Sequence, residues 1–162
     1  MKFLSIAFLF ILSSAFTFGA SALQHEVPAE VRAKQFSLKK QLILEGYDVV
    51  SYQQESGPKK GSKAHRADYK GVLYYFASEA NRTTFLEDPE HYEPLYGGWC
   101  AYAMLEGGKT KVNPKSFKIV EDRLLVFYDG ILGDTLKLWN EFEEQDGALI
   151  QKADAAWEAI LK

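Results

Sequence analysis

The chain has 162 residues, is 47% apolar and 14% aromatic, and carries 22 acidic against 19 basic side chains for a formal charge of −3. That apolar share supports a packed core and excludes a disordered chain. The near-balance of charge leaves no basic footprint for nucleic acid and no polybasic patch for anionic lipid.

The N-terminus reads as an export signal. Lys2 is followed by an uncharged apolar stretch from Phe3 to Phe18 and then by Gly19, Ala20, Ser21 and Ala22. Ala20-Ser21-Ala22 fits the small-x-small pattern, and cleavage is expected after Ala22. The stretch is shorter than the roughly 18–20 residues a spanning helix needs. No later segment is apolar enough to cross a bilayer. Residues 1–22 are therefore expected to be a signal peptide, with the periplasm or cell exterior as destination. Residues 23–40 are a polar leader or arm containing Pro28, and residues 41–162 form one domain. About 140 residues then remain, enough for a single core.

From Gln41 the pattern tightens. Leu42, Leu44, Tyr47, Val49, Val50 and Tyr52 suggest a short strand approached by a turn at Gly46, and Gly57 to Ser62 is a loop by its punctuation. His65, Ala67 and Tyr69, a Lys70-Gly71 turn, and Val72 to Ala77 predict a hairpin. Ser78 is placed to cap a helix carrying Ala80, Thr84 and Phe85. Asp88-Pro89 closes it and opens a second short turn through His91 and Tyr92. Gly97-Gly98 permits a tight backbone before a helix from Trp99 to Glu106. A second hairpin joins Ser116–Val120 to Leu124–Tyr128. From Gly133 onward, Leu136, Trp139, Phe142, Leu149, Ala153, Ala156, Trp157 and Ile160 recur at helical spacing, with Gly147 dividing two helices. The sum is an α+β fold: a small antiparallel sheet of two hairpin-like units, about four strands, packed with helices, two of them C-terminal. The sequence displays no internal repeat.

Several words in this chain resemble the YHS-domain proteins, in particular their secreted single-domain branch. They are Gly46-Tyr47-Asp48-Val49-Val50-Ser51-Tyr52, Tyr69-Lys70-Gly71 with Tyr74-Tyr75-Phe76-Ala77-Ser78, Asn81-Arg82 with Phe85, and Asp88-Pro89-Glu90 with Tyr92. Tyr96-Gly97-Gly98-Trp99-Cys100-Ala101-Tyr102-Ala103 and the tail Lys152 to Trp157 complete the set. The wider group resembles small metal-binding modules in which cysteines supply ligands. Here Ala77 and Asn81 stand where that group commonly has a cysteine after the aromatic pair and another four residues on. The resemblance therefore implies fold and compartment more directly than activity.

Cys100 is the one thiol of the chain. Near a helix N-terminus, with Met104 four residues on, a thiolate and a thioether could hold Cu(I). A reactive or redox thiol is its equal rival, and simple core packing is the favoured reading of the side chain. His91 could join Cys100 and Met104 if the Pro94–Gly98 turn folds back. His25 and His65 lie in no ligand-spaced motif. Asp48 is expected to cap the Gly97-Gly98 turn or to orient a tyrosine hydroxyl. The dense aromatics could line a pocket or fill a core. No Ser-His-Asp or Cys-His pair is set by spacing. The expected function is a non-catalytic, exported binding domain for a copper-like soft metal ion or a small ligand near Cys100. Its ligand contacts would be Asp48, Tyr96, Trp99, Cys100 and Tyr102, and its metal ligands Cys100, Met104 and His91. The alternatives are free-thiol chemistry at Cys100 and a structural or protein-interaction domain with a protein partner.

Overall fold

The computed structural model describes residues 28–162, so the expected signal peptide and its cleavage site lie outside the described residues. Helix α1 (Ala29–Gln35) leads into two short strands, β1 (Leu38–Lys39) and β2 (Leu42–Ile43). The strand expected to run on to Tyr52 stops at Ile43, because Leu44, Glu45 and Gly46 all take positive φ (43°, 53° and 82°). Three left-handed residues in succession cannot continue a strand. A 3₁₀ segment, Val49–Gln53, follows and is started by Asp48.

The first hairpin forms as its sequence predicts. β3 (Ser62–Tyr69) and β4 (Val72–Phe76) are antiparallel and joined through Lys70-Gly71, both at positive φ. That is the geometry a two-residue hairpin loop demands. β4 also pairs in parallel with β2, so the four-stranded sheet has order β1-β2-β4-β3 and is mixed. Ser78 caps helix α2 (Glu79–Glu87) by accepting from Asn81 N–H, and Asp88 caps the single turn α3 (Pro89–Tyr92).

The second half contains α4 (Ala101–Met104), then β5 (Asn113–Val120) and β6 (Arg123–Phe127) as a separate two-stranded sheet. A small hairpin follows, β7 (Asp129–Gly130) with β8 (Gly133–Asp134). Two helices end the chain, α5 (Thr135–Asn140) and α6 (Asp146–Leu161). Gly147 does not divide them. It sits in the first turn of α6, where backbone N–H groups lack intrahelical partners and glycine costs little. The break falls at residues 141–145, held by Lys118, whose ammonium reaches both Asn140 and Asp146.

Although the sequence shows no repeat, the structure contains one. Trp99 N–H bonds to Tyr96 O as Tyr47 N–H bonds to Leu44 O. Cys100 N–H bonds to Thr110 O as Asp48 N–H bonds to Lys59 O. The two hairpins then match strand for strand, with the same register and the same bulge. Arg66 faces Tyr75 as Phe117 faces Val126, and Tyr69 faces Val72 as Val120 faces Arg123. Even the parallel pairing recurs, Leu42 with Leu73 and Pro94 with Leu124. Between residues 62–77 and 113–128 only Leu73/Leu124 and Phe76/Phe127 are identical, which is why the sequence conceals it.

The repeat makes β6 the middle of the molecule. Leu124 and Val126 belong to one buried cluster with Ile43, Tyr74, Phe76 and Phe85. Leu125 and Phe127 belong to a second with Cys100, Met104, Trp139 and Ile150. A strand buried on both faces needs a continuous apolar run, and Leu124 to Phe127 is one. β4, with only Val72, Tyr74 and Phe76 fully buried, alternates instead. No helix among the described residues is long and apolar enough to cross a membrane.

The leader is a docked element from α1 onward. Phe36 lies over Gly97, Ser37 N–H bonds to Gly97 O at 2.8 Å, and Trp99 Nε1 donates to Gln35 O at 2.6 Å.

Candidate functional site: a cleft at the seam of the two halves

Cys100 is fully buried, and its sulfur is already engaged. The sulfur accepts from Tyr128 N–H at 3.4 Å and lies 3.3 Å from Thr135 Oγ1. The Thr135 hydroxyl donates to Tyr128 O at 2.8 Å, so the Cys100 S–H is the donor in the sulfur–oxygen contact. A thiol with both its donor and its acceptor used, at 0% exposure, is a packed side chain.

Asp48 holds the equivalent place in the first half, also at 0% exposure. Its Oδ1 accepts from Val50 N–H, and its Oδ2 accepts from Ala77 N–H at 2.8 Å and Asn81 Nδ2 at 2.6 Å. Ala77 and Tyr128 are the residues that follow β4 and β6, so a carboxylate and a sulfur perform the same task of tying the end of a hairpin to the turn before it. Asp48 thus makes structural hydrogen bonds as expected of a buried carboxylate, but its donors are Val50, Ala77 and Asn81 in its own half, and neither the Gly97-Gly98 turn nor a tyrosine hydroxyl.

The expected metal ligands do not make a donor set. Met104 is buried in the cluster with Cys100. His91 is exposed, its Nε2 paired with Gln53 Oε1 at 3.1 Å and its ring edge-on to Tyr92. Among the described residues no group of three or more His, Cys, Asp or Glu converges on one point. The residues present do not fit a metal ion as they stand. Trp99 is half-buried under α1, and Tyr102 is half-buried with its ring 5.9 Å from Phe142.

Of the expected ligand residues, Tyr96 lines a cleft at the seam of the two halves, while Tyr102 lines a smaller groove of about 190 Å³. Tyr96 is a non-glycine residue at φ 56°, in the left-handed region where backbone strain tends to mark functional positions. The cleft has a volume of about 340 Å³, within the range of small-molecule sites. It lies where the link between the halves, Glu90 to Gly97, meets the hairpin ends Lys70 and Arg123, and α1 and α6 form its walls. Phe36 and Trp157 face each other edge to face at 6.1 Å. A hollow of about 380 Å³ beside β4 and α2 is larger but has no aromatic lining.

Three ion pairs surround the aromatic floor. Arg32 grips both carboxylate oxygens of Glu93, which also accepts from the Tyr74 hydroxyl. The Arg32 guanidinium stands 4.3 Å above the Phe36 ring, and its Nη1 donates to Lys70 O at 3.3 Å. Lys70 pairs with Glu90 at 3.1 Å. Arg123 binds Asp154 through both nitrogens at 3.0–3.2 Å. Burial alone would lower the Arg32 pKa, but Glu93 outweighs it and the net shift is upward. Burial, reinforced by Glu93, pushes the Tyr74 phenol well above its ordinary value. Burial, reinforced by Asp154, does the same to Tyr96. At neutral pH the guanidinium is charged and both phenols are protonated, so the charges lining the cleft balance.

Sequence reasoning missed Arg32, Phe36, Glu93, Arg123 and Asp154. None stands in a local pattern that carries chemistry, and only the helical spacing of Trp157 pointed at this wall.

Residues 58–96 match the YHS domain family model, a span that covers the first hairpin, α2, α3 and the link into the second half. No curated protein and no solved structure matches the chain at a significant level.

Proposed function

We propose that this chain, a YHS domain-containing protein, binds a neutral or zwitterionic small molecule with an apolar body in the cleft between α1 and α6. The observation that carries the reading is the lining: an aromatic pair, Phe36 and Trp157, framed by three cations each matched by a carboxylate. A ligand with one unmatched charge meets an opposing charge wherever it meets a favourable one. A ligand with balanced or no charge keeps the pairs intact and buries its apolar part against the rings. The cleft replaces Cys100 as the site, because the sulfur is sealed. Tyr96 is the ligand contact retained from the sequence.

The test is a ¹⁵N-correlation titration of residues 23–162 with L-phenylalanine, benzoate and benzylamine. These probes share a phenyl ring and present a zwitterion, an anion and a cation. The expected result is shifts at Tyr96, Gly97 and the Trp157 indole, largest for phenylalanine, and their loss in Trp157→Ala. No shift there with any probe, or equal shifts with all three, refutes the reading. Export is part of the same proposal and rests on residues 2–22. Amino-terminal sequencing of protein recovered outside the cytoplasm tests it, and a chain still beginning at Met1 counts against it.

A further inference from the structure

The repeat shows which part of the second half the fold does not need. In the first half β4 passes through Ala77 directly to Ser78, the cap of α2. In the second half the equivalent of Ala77 is Tyr128, and five residues, Asp129–Gly133, stand between it and Asp134, the cap of α5. Insertions in one unit of a repeat commonly gather on a binding face.

This insertion is built to present side chains. Ile131 and Leu132 at its tip are 102% and 92% exposed. Leu132 N–H donates to the Tyr128 hydroxyl at 3.1 Å, and Gly130 packs so closely on that hydroxyl that a Cβ there would lie 2.6 Å from it. The tip is therefore held in place rather than left loose. Leu138 and Phe142 are exposed just beyond it. Four of the six large apolar side chains exposed among the described residues thus fall within residues 131–142. Single exposed apolar residues are ordinary, but two adjacent ones left almost wholly exposed on a braced tip mark an interaction surface.

Charge identifies the occupant. Residues 129–146 carry six carboxylates, at Asp129, Asp134, Glu141, Glu143, Glu144 and Asp146, against Lys137 in the same stretch and Lys118, which pairs with Asp146 from β5. An anionic membrane surface is repelled by such a stretch, and so is a second copy presenting the same stretch. We infer that the β7–β8 tip forms a docking surface for a cationic amphipathic segment of a partner protein, with leucine-sized side chains on one face and lysine or arginine on the other. This surface is separate from the α1–α6 cleft, and neither reading depends on the other.

The experiment uses two fluorescein-labelled peptides: leucine and lysine at helical spacing, and the same peptide with glutamate for lysine. Anisotropy is measured against residues 23–162 and against the double variant Ile131→Ser, Leu132→Ser. The tip side chains touch no core, and circular dichroism checks the variant's fold. The expected result is binding of the lysine peptide only, weakened by salt and at least about tenfold weaker in the variant, as removing two aliphatic contacts requires. Four outcomes overturn the proposal: no binding of the lysine peptide, equal binding of both peptides, an unaffected double variant, or tip-dependent uptake onto phosphatidylcholine vesicles without peptide binding.

Discussion

Replacing Gly97 by alanine tests whether the N-terminal arm is part of the fold. Gly97 has φ 58°, and a Cβ there would lie 2.7 Å from two atoms of the Phe36 ring and 3.0 Å from Phe36 Cα. Because the backbone atom is also close, turning the ring aside does not relieve the contact and the arm must shift. Left-handed backbone costs an alanine about 1–2 kcal/mol. Losing the Ser37–Gly97 hydrogen bond adds about 1 kcal/mol. Partial exposure of Phe36, with its Trp157 partner, adds about 2 kcal/mol. The expected loss for Gly97→Ala is thus about 4–5 kcal/mol, a large part of a small domain's stability. Gly107→Ala supplies the control. Gly107 has φ 70° and nothing within 4 Å of an added Cβ, so it isolates the backbone cost of about 1–2 kcal/mol. Urea unfolding of both variants measures the difference, and proteolysis at Lys34 or Lys39 reports release of the arm. Equal losses in the two variants would show that the arm contributes no stability through Phe36, and the reasoning would fail.

Asp48→Asn puts a donor where Asp48 receives three, leaving a buried N–H without an acceptor; urea unfolding should show a loss of about 2–4 kcal/mol. The Asp146 pKa is pulled upward by burial but lowered on balance by hydrogen bonds from Lys118 and Trp139. A lowered folded-state value means its stabilisation is present above the ordinary carboxylate range and lost as pH falls through it. Acid denaturation of Asp146→Asn should therefore be shallower than that of the parent. The Tyr52, Tyr74 and Tyr96 phenols are all raised, chiefly by burial. Here the folded state holds protons the unfolded state has released, so stability declines as pH rises past about 10, the free phenol value. Ultraviolet titration should show these three ionising only on unfolding, and their ionisation alongside the exposed tyrosines would contradict the burial.

Much of the local structure was legible because it is set by neighbours in sequence. Lys70-Gly71, Ser78 and Asp88-Pro89 act within four residues of themselves, and each does what its type predicts. The long-range features were not. The leader gave no sign of docking, because its partner Gly97 is some sixty residues away and its own pattern is polar. The repeat escaped because it is carried by backbone register and by two unlike side chains, Asp48 and Cys100. Cys100 drew attention as a lone thiol, yet its burial depends on Tyr128 and Thr135, which no spacing rule connects to it. The cleft was half visible, through Tyr96 and Trp157, while its ion pairs join residues from α1, the inter-half link, β6 and α6.

The sealed position of Cys100 has a practical consequence. A chain with a single sulfhydryl that no reagent reaches in the native state carries its own reporter of opening. The rate at which a dilute alkylating agent labels it is set by the opening rate when labelling outpaces reclosing, and by the open fraction times the intrinsic labelling rate when reclosing is faster. Because Cys100 lies beside β6, where both clusters meet, that labelling clock reads the loosening of the whole interior rather than the fraying of an end.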